Sequence, residues 1–219
     1  NKNIPGIYIE FKEPWLNPKG FEQIVYDVLA NTQDMNIIEK PEPEDTPFYI
    51  NNGTINVGNT NGKVILQTFS LESLVRVAEV FQGKVPMCFL LWKGTGATDL
   101  TYDDPLGYAS FINLGVKYKA HFIGPCIAGA PNDYPELDQP WQDYLIHRAK
   151  MKNHPYTFDT YDQMAKYFGQ YNFGVADGMF NPPYLDALFT NHSDMSINYM
   201  ITHGWRKSPA SQTLVDARE

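Results

Sequence analysis

Short apolar runs of strand length alternate along this chain with stretches of helical periodicity, and no other feature narrows the possible folds as much. The strand-like runs fall at 7–12, 64–69, 85–92, 120–125, 153–158 and 175–180. Between them the spacing predicts helices over 21–30, 74–81, 105–114, 141–150 and 161–168, with a short one over 184–189. Leu74, Val77, Ala78 and Phe81, for instance, make one apolar stripe, and Ser70 stands ahead of it as a capping residue. No hairpin signal joins any two of these strands, so they are expected to run parallel under covering helices. The architecture is α/β, either doubly wound or closed into a (β/α) barrel. Residues 39–62 interrupt the alternation with an acidic, proline-rich segment and an Asn/Gly-rich stretch, read as loop around a short strand at 48–50.

Composition excludes several classes of partner. With 43% apolar and 14% aromatic residues, the 219-residue chain has the makings of a sizeable core. A net charge of −8 leaves no footprint for nucleic acid, and no basic run would dock on anionic lipid. No apolar run is long enough to span a bilayer, and the opening Asn1-Lys2-Asn3-Ile4-Pro5 has neither an initiator Met nor a signal core, as expected of a processed or incomplete chain. Two sequons, Asn52-Gly53-Thr54 and Asn191-His192-Ser193, sit where a glycan could face water and favour a secreted or periplasmic protein. Cys88 and Cys126 lie in apolar runs, where buried free thiols are the ordinary outcome. A disulfide between them would need neighbouring strands with aligned side chains, and two cysteines without a spaced histidine pair make no zinc site.

The first run carries the chemistry. Strict alternation in Ile7-Tyr8-Ile9-Glu10-Phe11-Lys12 places Tyr8, Glu10 and Lys12 on one face and Ile7, Ile9 and Phe11 on the other. Such a charged pair is either a solvated ion pair on an edge strand or part of a site. Glu10, Lys12, Gln67, Lys93, His154, Tyr156 and Asn181 all fall at strand C-terminal ends, where a (β/α)₈ barrel builds its active site. No Gly-rich dinucleotide loop and no Walker loop accompanies them.

Several segments, taken in order, resemble the glycerophosphodiester phosphodiesterases of the periplasmic bacterial type. They are Gly6-Ile7-Tyr8-Ile9-Glu10-Phe11-Lys12-Glu13-Pro14-Trp15, Ile65-Leu66-Gln67-Thr68-Phe69, Ile123-Gly124-Pro125, His154-Pro155-Tyr156-Thr157 and Gly174-Val175-Ala176-Asp177-Gly178-Met179-Phe180. The resemblance implies a TIM-type (β/α) barrel with strands 3–8 of 8 in this chain, a partial barrel over 1–189 and a C-terminal extension over 190–219. It makes Glu10 a ligand of a divalent metal, Mg or Ca, and puts Lys12, Gln67 and Tyr156 on the substrate. Tyr156 also reads as an ordinary core aromatic, and His154 as a structural histidine.

The family's His-Arg-Gly segment, its Glu-x-Asp pair and its second histidine have no counterpart here, and Asn181-Pro182-Pro183 departs from the family's last strand end. The first two strands are therefore expected from a complementary N-terminal fragment, a second chain or another subunit. The implied activity is metal-dependent hydrolysis of glycerophosphodiesters, a small-molecule substrate of lipid metabolism, to glycerol 3-phosphate and an alcohol. Two alternatives are a non-catalytic secreted glycoprotein on a degenerate barrel and a phospholipase D-type toxin.

Overall fold

A computed structural model of the chain describes residues 6–31, 49–51, 54–56, 64–92, 102–170, 185–204 and 206. Five strands form one sheet, β1 (Ile7–Glu10), β4 (Val64–Thr68), β5 (Met87–Leu91), β6 (Phe122–Pro125) and β7 (Lys152–Asn153), in the order β1-β4-β5-β6-β7. All four pairings are parallel. The crossovers carry α1 (Phe21–Asn31), α2 (Leu71–Phe81), α3 (Pro105–Lys117) and α4 (Pro140–Arg148). The expected α/β architecture is thus observed, as a TIM-like partial barrel. The sixth expected strand, 175–180, lies outside the described residues.

Local chemistry sets the helix ends. Ser70 caps α2 by accepting from the Ser73 amide at 3.4 Å, and Gln82 closes it in the left-handed conformation at φ 51°. Asp104 caps α3 through the Gly107 amide at 2.9 Å, and Pro105 occupies the first helical turn, where its missing N–H costs nothing. α3 runs on past the expected Leu114 to Lys117.

Alternation divides the sheet's side chains between two cores. Leu66, Phe89, Leu91 and Ile123 face the helices, where Leu74, Val77, Phe81, Phe111 and Ile146 meet them. Each such burial contributes about 1.5–3 kcal/mol. On the concave side Cys88, Leu90 and Phe122 pack with Tyr8, Ile65 and Phe69. Gly124 belongs to this inner layer, where an added Cβ would stand 2.7 Å from Leu90 Cδ2 and 2.9 Å from Cys88 Sγ. A third cluster joins Phe158, Met164, Tyr167 and Leu185 to Tyr199, bringing α6 (Ser193–Thr202) against α5 (Tyr161–Ala165).

Three expectations need correction. The stretch read as loop contains a hairpin, because β2 (Tyr49–Asn51) pairs antiparallel with β3 (Thr54–Asn56). Asn52-Gly53 between them is the strongest short hairpin signal there is. The strand expected over 153–158 keeps regular pairing only through Asn153, with one further bridge from Tyr156 to Cys126. His154 and Tyr156 still donate to Ile123 O and Pro125 O at 2.9 and 3.0 Å, and the bond missing between them is the one that Pro125, having no N–H, cannot give to His154 O. The described part of the expected helix 184–189 forms no helix. Asp186 N–H donates to Asn153 O at 3.1 Å, Phe189 N–H to Pro155 O at 3.0 Å, and Phe158 N–H to Phe189 O at 2.8 Å. The carbonyls left open along 153–155 offer its amides partners that a helix would not.

Candidate functional site

β1 and β4 deliver two polar side chains to the same place. Glu10 and Gln67 are register partners, both pointing to the concave side at the strands' C-terminal ends. There they line a cavity of about 250 Å³ together with Phe69, Leu90, Tyr156 and Phe189. Thr157, Thr190 and Asn191 complete the described rim. Glu10 Oε1 and Gln67 Oε1 are both buried and have no hydrogen-bond partner among the described residues.

Of the residues expected in a site, Glu10, Gln67 and Tyr156 are brought together here, and Lys12 stands apart. Regular strand ends at Glu10, so Lys12 lies beyond the alternation, in a turn where Asn17 Nδ2 donates to Lys12 O at 2.8 Å. Its ammonium sits 3.6 Å from Glu10 Oε2, but the side chain is 71% exposed and does not line the cavity. Burial raises the Glu10 carboxyl above its ordinary value, and the Lys12 charge only partly opposes it.

Tyr156 contributes its ring, because its hydroxyl is committed to Leu91 O at 3.0 Å. Phe69 meets that ring edge-on at 5.7 Å and 87°, so the two set adjoining walls at a right angle. His154 is structural. It is buried, stacked on Phe122 at 4.0 Å, and shares a 3.1 Å hydrogen bond with the Tyr8 hydroxyl. Burial lowers it to about 4 and keeps the ring neutral. Cys88 and Cys126 are free and buried, and burial pushes both thiols up to about 12.

Asn191 is exposed, and its side chain is engaged: Nδ2 donates to Asp159 Oδ2 at 2.9 Å and its N–H to Asp159 Oδ1 at 2.8 Å. The other sequon residue, Asn52, lies outside the described residues.

The wall that carries Phe189 and Thr190 is anchored by groups that sequence reasoning missed. His147 Nε2 donates to Asp186 Oδ2 at 2.8 Å, Lys152 Nζ donates to Asp186 Oδ1 at 3.0 Å, and Asn153 N–H donates to Asp186 Oδ2 at 2.8 Å. Asn153 Nδ2 also bridges the buried Asp138 and Asp143, at 2.7 and 2.9 Å. Burial is the largest influence on His147 and pulls it down, yet hydrogen bonds and charge from Asp143 and Asp186 together raise it to about 10. Asp186 goes the other way. Burial acts to raise it, but the bonds from His147 and Asn153 with the nearby positive charges hold it well below the carboxylate range. Phe69 could have been found from sequence, since it follows Gln67 by two; nothing in the local pattern marks Phe189.

Among the described residues no group of three His, Cys, Asp or Glu is arranged to hold a metal. Glu10 and Gln67 are hard oxygen donors of the kind Mg or Ca takes, and their orphaned oxygens fit such an ion in kind, supplying two of the six or more positions it fills.

No protein-family model and no curated protein matches this chain. Among solved structures it is similar to a crystal structure from Silicibacter pomeroyi DSS-3, of a protein provisionally assigned as a glycerophosphoryl diester phosphodiesterase. The TM-score is 0.57 at 12% identity, over 93% of this chain and 52% of that one. The likeness is one of fold, and the chain spans about half the length of that structure.

Proposed function

We propose that this chain supplies part of a glycerophosphodiester-hydrolysing barrel, as strands 3–8 of 8, with the remaining strands and the histidines coming from a complementary N-terminal fragment or second chain. The reading is carried by one observation: Glu10 and Gln67 turn two unpartnered oxygens into a cavity at the C-terminal ends of parallel strands. Likeness to a solved structure assigned to this activity supports it.

In this reading Glu10 and Gln67 hold a divalent ion, Mg or Ca, and oxygens of water, the phosphodiester and the complementary segment fill its other positions. Such an ion neutralises the phosphodiester charge. Lys12, long and solvent-borne, swings onto a phosphate oxygen as a point charge. The rings of Tyr156 and Phe69 form an apolar floor for the alcohol. A secreted or periplasmic setting and a glycan on Asn52 or Asn191 belong to the same reading.

The test is hydrolysis of glycerophosphocholine with Mg or Ca, by the chain alone and with an N-terminal partner segment. Activity that needs the partner and is lost in Glu10→Gln is expected, by about 10²-fold or more for loss of a charged metal ligand. Activity indifferent to Glu10→Gln would sink the assignment. A second reading, a non-catalytic secreted glycoprotein, draws on the cavity itself: Glu10 is the one ionisable acid or base of ordinary catalytic type among its described lining residues. Absence of turnover with every partner segment would favour it.

A further inference from the structure

Exposed apolar side chains are unevenly placed on this molecule. Eleven large ones are exposed among the described residues. Six of them, Trp15, Leu16, Trp92, Leu106, Tyr134 and Tyr161, stand in loops that leave the C-terminal ends of strands or in the first turn of the helix that follows. Ile7 and Val116 stand at the opposite ends of their elements, and the other three lie along α1 and α6. Single exposed apolar residues are ordinary, but a bias to one face of the sheet is not. Two tryptophans and two tyrosines among six suit a boundary that is apolar on one side and wet on the other. From this placement we infer that the face around the cavity mouth docks on an electroneutral, zwitterionic lipid surface, with the Trp15-Leu16 turn as its anchor.

The anchor is held in shape from behind. Pro14 is buried, and Arg76 Nη1 donates to its carbonyl at 3.3 Å. Leu16 N–H donates to Glu13 O at 2.8 Å, and Asn17 Nδ2 donates to Lys12 O at 2.8 Å, so the turn is closed on itself. Glu13 adopts the left-handed conformation at φ 47°, which is unfavourable for a residue with a Cβ. A turn braced in this way keeps Trp15 and Leu16 each 70% exposed. Two large neighbouring apolar side chains held in water forgo the gain of burial, and insertion into a lipid surface recovers it. Leu106, 79% exposed in the first turn of α3, is a second apolar tip on a separate element.

Charge selects the kind of surface. Lys12 and Lys19 flank the anchor, whereas Asp103, Asp133 and Asp162 are exposed close in sequence to Leu106, Tyr134 and Tyr161. Interleaved signs match a headgroup layer that carries both charges, while the net charge of −8 opposes a strongly anionic bilayer. The same charged side chains divide the rim into separate tips, unlike the continuous apolar core of a protein interface, and a fluid layer can admit each tip by itself. Tyr134 meets Tyr156, a wall of the cavity, at 6.0 Å and 62°. A docked face therefore turns the cavity mouth towards the headgroups. The docking depends on none of the cavity's oxygens, so it stands whether or not the chain takes part in hydrolysis.

The experiment is co-sedimentation of the full 219-residue chain with sucrose-loaded phosphatidylcholine vesicles, in low and high salt, read together with tryptophan emission. Binding is expected, with a blue shift of the emission, and it should persist in high salt. Trp15→Ser combined with Leu16→Ser should weaken it about tenfold or more, and Leu106→Ser should weaken it by a smaller factor. Ile24→Ser, also at an exposed apolar position but on α1, should leave the affinity unchanged. Phosphatidylglycerol mixed into the vesicles should not strengthen binding. Circular dichroism confirms that each variant folds; if the double variant does not, Leu106→Ser and quenching of the parent's emission by brominated lipid replace it. No co-sedimentation, equal weakening by Ile24→Ser, or binding that rises with phosphatidylglycerol would overturn the docking. So would dimerisation in the absence of vesicles that the Trp15 and Leu16 substitutions abolish, which would assign the face to a second copy of the chain. A failed hydrolysis assay leaves these results untouched, so the two proposals fall separately.

Discussion

Glu10 and Gln67 stand side by side on neighbouring parallel strands, each with a buried oxygen that no described group satisfies. A fold that holds two such atoms together forgoes stability at this point, since desolvating a polar group without a partner costs about 1–3 kcal/mol. The first prediction follows from the sign of that cost. Burial raises the Glu10 carboxyl, so its contribution to stability is present below the unfolded value and is lost as pH rises through the folded one. Glu10→Gln should therefore be more stable than the parent at pH 7, by about 1 kcal/mol or about 2–4 °C, with the gap closing towards pH 4. Thermal melts of both proteins across that range check it; a variant less stable at pH 7 would mean that Lys12 outweighs burial.

The latch behind the cavity wall should respond to pH on both sides, its histidine share being lost as pH rises and its aspartate share as pH falls. His147 is raised to about 10, so its contribution is complete below about 6.5, the ordinary histidine value, and is lost as pH rises towards 10. Asp186 is held low, so its share is present above the ordinary carboxylate range and is lost on acidification below it. Between about pH 4.5 and 6.5 both are in place. His147→Asn should cost about 1–3 kcal/mol at pH 5.5 and much less at pH 10. Urea unfolding at the two pH values measures this, and a pH-independent loss would reduce the ring to packing.

Gly124 tests the inner layer. An alanine there would bring its Cβ within 2.7 Å of Leu90 Cδ2 and 3.1 Å of the His154 carbonyl, which as backbone yields little. Gly124→Ala should destabilise by about 1–3 kcal/mol in denaturant titration. Leu90 is also a cavity wall, so the shift that relieves the clash should narrow the cavity. Full stability would show that the barrel interior has slack at this level.

What could be read from sequence tracks the reach of a periodic pattern. Alternation alone placed Tyr8 and Glu10 on the concave side, and five of the strand-like runs became parallel strands in the sheet. It failed where a single residue left the pattern: Lys12 lies past the end of β1, and Pro125 lacks the N–H that would carry the β6–β7 ladder past Asn153. Phe189 was invisible for another reason. Its segment has no regular structure of its own and takes its course from bonds to partners such as Asn153 and His147, more than thirty residues away. Local patterns carry no record of such partners.

The segment from Asp186 to Asn191 is riveted at both ends, to His147, Lys152 and Asn153 at the first and to Asp159 at the last. Its path is thus specified by its terminal side chains and by the backbone bonds of Phe189 to Pro155 and Phe158, none of which uses the Phe189 side chain. Phe189 can be exchanged for another side chain with the backbone course retained, which makes this short wall the place where selectivity could drift between homologues, or be redesigned, without disturbing the sheet.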